Sequence, residues 1–282
     1  VFTFNKFMDN LRSMKVIGVI QARMKSQRLL GKVMLDLIGK PLIWHIYNRL
    51  KYCQYLDDVV ISTGEYSTNK EIIDYATEVS KTTSAFFRPN FWVNTPDILP
   101  FHLQNGNPAM FALRAMLAAT LTPSWGMYAG YELYEHVRFK EGGEEYKDSE
   151  KYEIKVRDWV GAEKLGMTLS PFITQLNQIR KKNSALQKLR NLEFHASDSP
   201  AIIAYSKRDG DNLILMTVNL DPSRVQESMV HWNMFALGIP EGTFKVTDLL
   251  TGEVMEWSDH TFVRLDPARP HGKVGHIVKV AL

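Results

Sequence analysis

Phe86-Phe87-Arg88-Pro89-Asn90-Phe91-Trp92-Val93-Asn94-Thr95-Pro96-Asp97-Ile98-Leu99 is an aromatic-rich run whose apolar centre ends in the polar turn Asn94-Thr95-Pro96-Asp97. A short buried strand that stops at Asp97 is the reading this composition favours. Beyond it, Met110, Leu113, Leu117 and Leu121 recur at helical spacing, and Thr122-Pro123 supplies the stop, which predicts a helix from Pro108 to Leu121. Trp125 to Tyr128 reads as a second short strand. A polar excursion over residues 130–166 follows, and Pro171 opens another helix running to about Lys182. The order is therefore β-α-β-α, the signature of parallel strands alternating with helices.

The texture changes on both sides of this stretch. C-terminal to Leu192 the period becomes two, with strand candidates at residues 202–205, 213–220, 243–249, 253–257, 261–265 and 276–280, separated by Asp-Gly-Asp, Asp-Pro and Thr-Gly-Glu turns. Six such strands predict an antiparallel β-sandwich. Toward the N-terminus, Lys15 to Ile20 is apolar on both faces and Val59-Val60-Ile61 repeats that pattern. Between them lie a polar loop (residues 21–32) and a helix opened by Pro41, and residues 69–79 suit a second helix. That β-loop-α-β-α order begins a doubly wound sheet, but two strands and two helices make only half a domain.

The predicted fold class is therefore α/β plus all-β, and the composite has four parts. Residues 1–14 are left as an unassigned extension, 15–80 form a partial Rossmann-like α/β half-domain, 81–191 hold β/α units, and 192–282 form the sandwich. Poor packing is expected where the second and third parts meet, near Ser80 and Lys81. The aromatics Phe91, Trp92, Trp125 and Tyr128 are expected in the core. Should residues 81–191 lack companions, the inner faces of their helices are expected to be exposed.

The chain has 282 residues, 45% of them hydrophobic, and a formal net charge of +3. Residues 1–80 hold 11 Lys+Arg against 8 Asp+Glu while the other 202 hold 23 of each, so the small basic excess belongs to the first part. It suits a phosphate-bearing small molecule and not a nucleic acid, which calls for a denser basic stripe. The single cysteine, Cys53, forbids an internal disulfide and points to a reducing cytoplasm. No Cys/His spacing matches a metal site, and the apolar run Val16 to Ile20 is far too short to span a membrane. Neither a metal nor a cofactor is expected.

In the first part, Ile20-Gln-Ala-Arg-Met-Lys-Ser-Gln-Arg-Leu-Leu-Gly-Lys32 places Arg23, Ser26, Arg28 and Lys32 in one loop after a buried strand, where guanidinium forks and backbone N–H groups suit a phosphate chain. On composition alone a solvated basic loop is as good a reading. This string and Asp36-Leu-Ile-Gly-Lys-Pro-Leu-Ile-Trp-His45 resemble the N-terminal part of the sugar-activating cytidylyltransferases of the spore-coat polysaccharide and acylneuraminate types. The resemblance implies a vestigial nucleotide-phosphate site at Arg23, Ser26, Arg28 and Lys32 that would take CTP. The chain departs from that family at Leu30, where proline is the rule. The acidic residues that hold magnesium there have no counterpart here, so nucleotidyl transfer is not expected.

The opening stretch, together with Ala118-Ala-Thr-Leu-Thr-Pro-Ser-Trp-Gly-Met-Tyr-Ala-Gly-Tyr-Glu-Leu133 and Glu144-Glu-Tyr-Lys-Asp-Ser-Glu-Lys-Tyr-Glu153, resembles the C-terminal part of the α-1,4-glucan:maltose-1-phosphate maltosyltransferases of the α-amylase superfamily. The resemblance implies that residues 81–191 are the last two β/α units of a TIM barrel. It implies retaining transfer of maltosyl from maltose 1-phosphate to an α-1,4-glucan in glycogen synthesis, and an assembly that is often a homodimer. Asp97 would be the transition-state-stabilising carboxylate, and Lys151 and Tyr152 would line the donor-sugar site. The family's nucleophile and general acid lie on strands upstream of anything in these 282 residues. Glu132, Glu135, Glu144, Glu145 and Glu150 are left as solvated acids.

Three readings stay open. The first is an incomplete and inactive maltosyltransferase, the second a CTP-binding cytidylyltransferase fragment, and the third a non-catalytic chimera with weak glucan affinity.

Overall fold

The computed structural model describes residues 17–22, 35–54, 56, 58–63, 69–150, 154–268 and 274–282. The basic loop residues Arg23, Ser26, Arg28 and Lys32, and the extension 1–14, lie outside these. The chain forms two compact units, residues 1–71 with 85–87, and residues 72–84 with 88–282.

In the smaller unit, β1 (Ile17–Ala22) pairs in parallel with β4 (Asp58–Thr63), from Ile17↔Asp58 to Ala22↔Thr63. Between them, β2 (Asp36–Leu37) and β3 (Lys40–Pro41) form a hairpin closed by Ile38 and Gly39, both at positive φ. Gly39 donates its N–H to the Asp36 carboxylate at 2.9 Å, a bond that fixes the turn. Helix α1 (Leu42–Lys51) starts after Pro41, whose fixed φ and missing N–H cost nothing there, and ends with Arg49 and Lys51 facing the negative end of the helix dipole.

The larger unit begins inside α2 (Asn69–Thr77). A π-helical turn over Glu78–Thr82 continues it, and Ala76, Val79 and Ser80 are buried. Lys81 donates to the Arg190 carbonyl at 3.2 Å and pairs with Glu193, while Arg190 donates to the Ser84 carbonyl at 3.0 Å. Ser80 and Lys81 are thus tied into the larger unit. Ile72 and Ile73 lie against a core that their helix period lets them reach.

Strand β5 (Phe91–Trp92) pairs in parallel with β6 (Trp125–Gly126), joined by α3 (Pro108–Leu121). The Asn107 side chain caps α3 by accepting from Ala109 N–H at 2.9 Å, and Pro108 occupies the first turn. Every α3 residue from Ala109 to Leu121 except Arg114 is buried, which corrects the expectation that its inner face would be exposed. The helix is apolar all round because it lies between α5 (Ser170–Lys182) and the C-terminal sheet. Exposed apolar side chains gather instead on the excursion and on α4 (Trp159–Lys164), among them Ile154, Val156, Val160 and Leu165.

The C-terminal part is an antiparallel eight-stranded sheet, ordered β12-β11-β14-β9-β8-β7-β10-β13. Its strands are β7 (Leu192–Ser197), β8 (Ile202–Asp209), β9 (Asn212–Asn219), β10 (Gln226–His231), β11 (Phe244–Asp248), β12 (Val254–Trp257), β13 (His260–Leu265) and β14 (Gly275–Val280). A four-residue helix, α6 (Met234–Leu237), follows β10. Two strands were not expected, β7 and β10. Their polar residues Glu193, His195, Gln226, Glu227 and Ser228 hide the alternation, and β7 joins what would otherwise be two sheets.

The sheet bends around a core that collects Val230 and Leu265 from one end and Val246 and Trp257 from the other, so it is sandwich-like. Ile203, Tyr205, Ile214 and Met216, on the other face, share a core with α3 and α5. Strands β8 and β9 are therefore buried on both faces.

Two cations finish α3. Arg180 of α5 donates to the carbonyls of Ala119, Thr122 (3.1 Å) and Pro123 (2.7 Å), and Lys207 of β8 reaches the Leu121 carbonyl at 3.4 Å. Both meet the negative end of the helix. Lys207 is wholly buried, and that burial, with Arg180 nearby, pushes its pKa down to about 7.

Candidate functional site

The ladder of β5 and β6 continues through Phe91 N–H to the Ser124 carbonyl (3.0 Å) and Val93 N–H to the Gly126 carbonyl (3.1 Å). One residue on, backbone pairing stops and a buried side chain replaces it. Asn94 accepts from Tyr128 N–H at 2.8 Å and donates to the Tyr128 carbonyl at 3.4 Å and the Tyr146 hydroxyl at 2.7 Å. An amide that gives and accepts in one plane mimics a further strand residue, so the chain is free to turn without leaving buried groups unpaired.

The turn itself is closed by reciprocal bonds between Thr95 and Ile98, each 3.1 Å. Asp97 stands in that turn, just past the C-terminal end of β5, with its side chain at the surface. Leu99 N–H then donates to the Glu144 carbonyl at 2.6 Å, and Gln104 donates to the Leu99 and Gly143 carbonyls, which tie the turn to the excursion.

Past β6, a polar frame forms that the sequence did not reveal. Arg157 donates through Nε to Glu135 Oε1 (2.8 Å) and through Nη1 to Glu150 Oε2 (3.1 Å), while its guanidinium lies 5.5 Å from the Tyr128 ring centre. The Tyr128 hydroxyl donates to Glu150 Oε2 at 2.7 Å and accepts from Glu150 N–H at 3.2 Å. Lys155 adds a second cation to Glu135 at 3.0 Å. The Arg157 side chain is 5% exposed and that of Glu135 17%, so this pair is largely withdrawn from water.

Burial alone would lower the pKa of Arg157, but hydrogen bonds with Glu135, Tyr128 and Glu150 more than offset it and leave the group firmly protonated. The hydrogen bond from Tyr128, then that from Arg157, hold Glu150 below the usual carboxylate range. Gly130, at φ 98°, passes so close that an added Cβ would lie 2.3 Å from Glu135 Oε2. Only glycine leaves room for the pair there.

Glu135 and Glu150 are thus built into a network, which corrects their reading as solvated acids. Glu132 is engaged as well, accepting from Gly130 N–H at 3.0 Å. A general acid needs a raised pKa, so Glu150 is unsuited to that role. Lys151 and Tyr152 lie outside the described residues, directly after Glu150. Glu150 precedes them in the sequence, and Lys155 and Arg157 follow.

Of the aromatics expected in the core, Phe91, Trp125 and Tyr128 pack partly buried against it. Trp92 does not, being 53% exposed with its ring laid over Gly126. Among the described residues no cluster of three or more His, Cys, Asp or Glu side chains is arranged to hold a metal ion. Nor is any described helix long and apolar enough to cross a membrane.

Comparison with known proteins separates the two parts of the chain. Residues 194–280 match the family model "GLGE, C-terminal", and residues 17–89 match the Cytidylyltransferase model. The α-1,4-glucan:maltose-1-phosphate maltosyltransferase 1 of Streptomyces coelicolor is 47% identical over 214 residues, covering 76% of this chain and 32% of that protein. The Corynebacterium glutamicum maltosyltransferase is 50% identical over 213 residues (74% and 31%), and that of Mycobacterium tuberculosis strain H37Rv 44% over 218 (76% and 30%). The chain spans about a third of the length of these curated relatives.

Among solved structures, the α-amylase of Geobacillus thermoleovorans aligns with TM-score 0.54 at 14% identity, over 84% of this chain and 51% of that one. The maltogenic α-amylase of Thermotoga neapolitana gives 0.53 at 13%, over 77% and 46%. The larger part of the chain therefore has the fold of the end of an α-amylase-type barrel with its C-terminal sheet. By sequence it resembles the C-terminal part of the maltosyltransferases.

Proposed function

We propose that residues 81–282 are the C-terminal part of a retaining transferase. That enzyme moves a maltosyl unit from maltose 1-phosphate to an α-1,4-glucan, in glycogen or α-glucan synthesis. The observation that carries this reading is the 47% identity to a maltosyltransferase across 214 residues. In this division residues 81–191 belong to the barrel, 192–282 to the sandwich, and 15–80 to a nucleotidyltransferase-like segment. The lone Cys53 suits a cytoplasmic setting.

Retaining transfer uses a carboxylate nucleophile and a carboxylic acid about 5 Å apart, on either side of an oxocarbenium-like transition state. Asp97 is the third carboxylate, placed after a barrel strand where catalytic groups of such folds stand, and its charge stabilises the developing cation. Lys151 and Tyr152 line the donor sugar. Arg157, Glu135, Glu150 and Tyr128 are positioning residues that hold the Lys151–Tyr152 segment at both ends. The nucleophile and acid are not supplied by these 282 residues, so they do not turn over substrate by themselves.

Co-expression with the upstream portion of the Streptomyces coelicolor enzyme tests this. A co-purifying complex should release phosphate from maltose 1-phosphate in the presence of glycogen, and Asp97→Asn should lower the rate by about 100-fold. A complex equally active with Asp97→Asn contradicts the assignment.

The match of residues 17–89 to the Cytidylyltransferase model favours a second reading, in which Arg23, Ser26, Arg28 and Lys32 bind the phosphates of CTP. Calorimetric titration with CTP and magnesium tests it, and a flat trace removes it.

A further inference from the structure

We propose that Arg114 and His102, neighbours between α3 and the turn that leads into it, form a binding site for a phosphate-type oxyanion. Arg114 is the one residue from Ala109 to Leu121 of α3 that keeps contact with solvent. His102 lies in the single helical turn Phe101–Leu103, which packs on α3 and is anchored by the fully buried Leu103. Both residues are partly exposed, so an ion from solution has access.

What points to an anion is a charge without a counterion. Arg114 Nε is buried with no hydrogen-bond partner, and among the described residues the side chain forms no hydrogen bond or ion pair at all. A cation withdrawn from water is ordinarily paired, because the hydration it gives up has to be replaced. Arg157 has two carboxylates and Arg180 three carbonyls for that purpose, whereas Arg114 has neither. The Tyr131 phenol favours the protonated guanidinium, but it is fully buried and donates its proton to the Phe111 carbonyl at 2.5 Å. His102 brings no negative charge either. Burial, and then the adjacent charge of Arg114, push its pKa down to about 3, and among the described residues no carboxylate acts on either group.

An oxyanion completes this arrangement. The planar fork of Arg114 can donate two N–H groups to the oxygens of a phosphate or sulfate. His102, neutral while the site is empty, adds an imidazole N–H, and a bound anion in turn favours its protonated ring. Binding therefore takes up a proton at His102. Chloride, with no oxygens to meet the fork, suits the site less. Nothing in the sequence pointed here, because only the packing of α3 on the turn brings the two residues together.

Titration of the full chain with inorganic phosphate at constant ionic strength, followed by the NMR signal of the His102 ring, tests the site. The signal is assigned by its loss in His102→Gln. A saturable shift is expected, with a rise of the His102 pKa by at least one pH unit, and a parallel titration with glucose 1-phosphate shows whether a phosphate monoester is taken as readily as the free ion. The readout belongs to His102, so phosphate held by basic residues elsewhere in the chain does not register. Arg114→Gln should weaken binding at least tenfold. The same variant removes an unpaired charge, so it should melt no lower than the parent chain in phosphate-free buffer. Where it fails to fold, Arg114→Lys, which keeps the charge but loses the fork, replaces it and should weaken binding several-fold. A His102 signal that does not respond to phosphate, or a response of unchanged affinity in the Arg114 variant, overturns the proposal.

Discussion

Strands β8 and β9 run for eight residues each and are paired in register from Ile202↔Asn219 to Asp209↔Asn212, with apolar residues buried on both faces. Strands β5 and β6 share two residue pairs, after which the Asn94 amide and the Arg157 ion network take over. The sheet draws its stability from apolar area removed from water, a contribution spread over many side chains. The site region relies on a few polar contacts whose loss is local. This contrast predicts that the two regions fail differently.

The largest effect should come from the sheet. Leu215→Ala, at a fully buried position facing the bent core, should lower stability by about 3 kcal/mol, read as a shift of the denaturant midpoint. An equal loss from any single residue of the site turn would erase the contrast. Glu135→Ala leaves the little-exposed Arg157 without its main partner and should cost about 2 kcal/mol. The sharper readout is limited proteolysis, in which new cuts should appear between residues 150 and 160 while the sheet stays protected.

Lys207 lies where the sheet meets the end of α3. Its pKa is about 7 in the folded chain against 10.5 ordinarily, so between these values the unfolded chain holds a proton that the folded one lacks. Stability from this group therefore rises with pH from about 7 to about 10.5, and the burial penalty is felt in full below 7. Lys207→Met should stabilise the protein by about 1–3 kcal/mol at pH 6 and by less at pH 9. Melting curves at the two pH values check this, and equal gains at both would contradict it. The smallest change is expected from Asn107→Ala, about 1 kcal/mol through loss of the α3 cap.

Much of this architecture is legible in the residues. Pro108 and Thr122-Pro123 bracket α3, and the apolar runs give β1, β4, β8 and β9. Strands β7 and β10 are not legible, because Leu192-Glu-Phe-His-Ala-Ser197 and Gln226-Glu-Ser-Met-Val-His231 carry polar groups whose partners are remote in sequence. His195, for instance, is satisfied by Ser206 and by the N–H of Asn233. Nor is the burial of α3 all round, since its covering comes from β8, β9 and α5. Glu135 and Glu150 read as solvated acids for the same reason, their partner Arg157 being 22 and 7 residues away. Asp97 could be singled out because the surrounding string carries a resemblance, and no spacing rule does that by itself.

In the proposed assignment, Asp97 serves a nucleophile and a general acid that these 282 residues do not supply. Phosphate release from maltose 1-phosphate and glycogen by the 282-residue chain alone tests this most directly. No release above the buffer blank is predicted. Steady release that disappears in Asp97→Asn would show that the chain assembles a complete site, and would contradict the account.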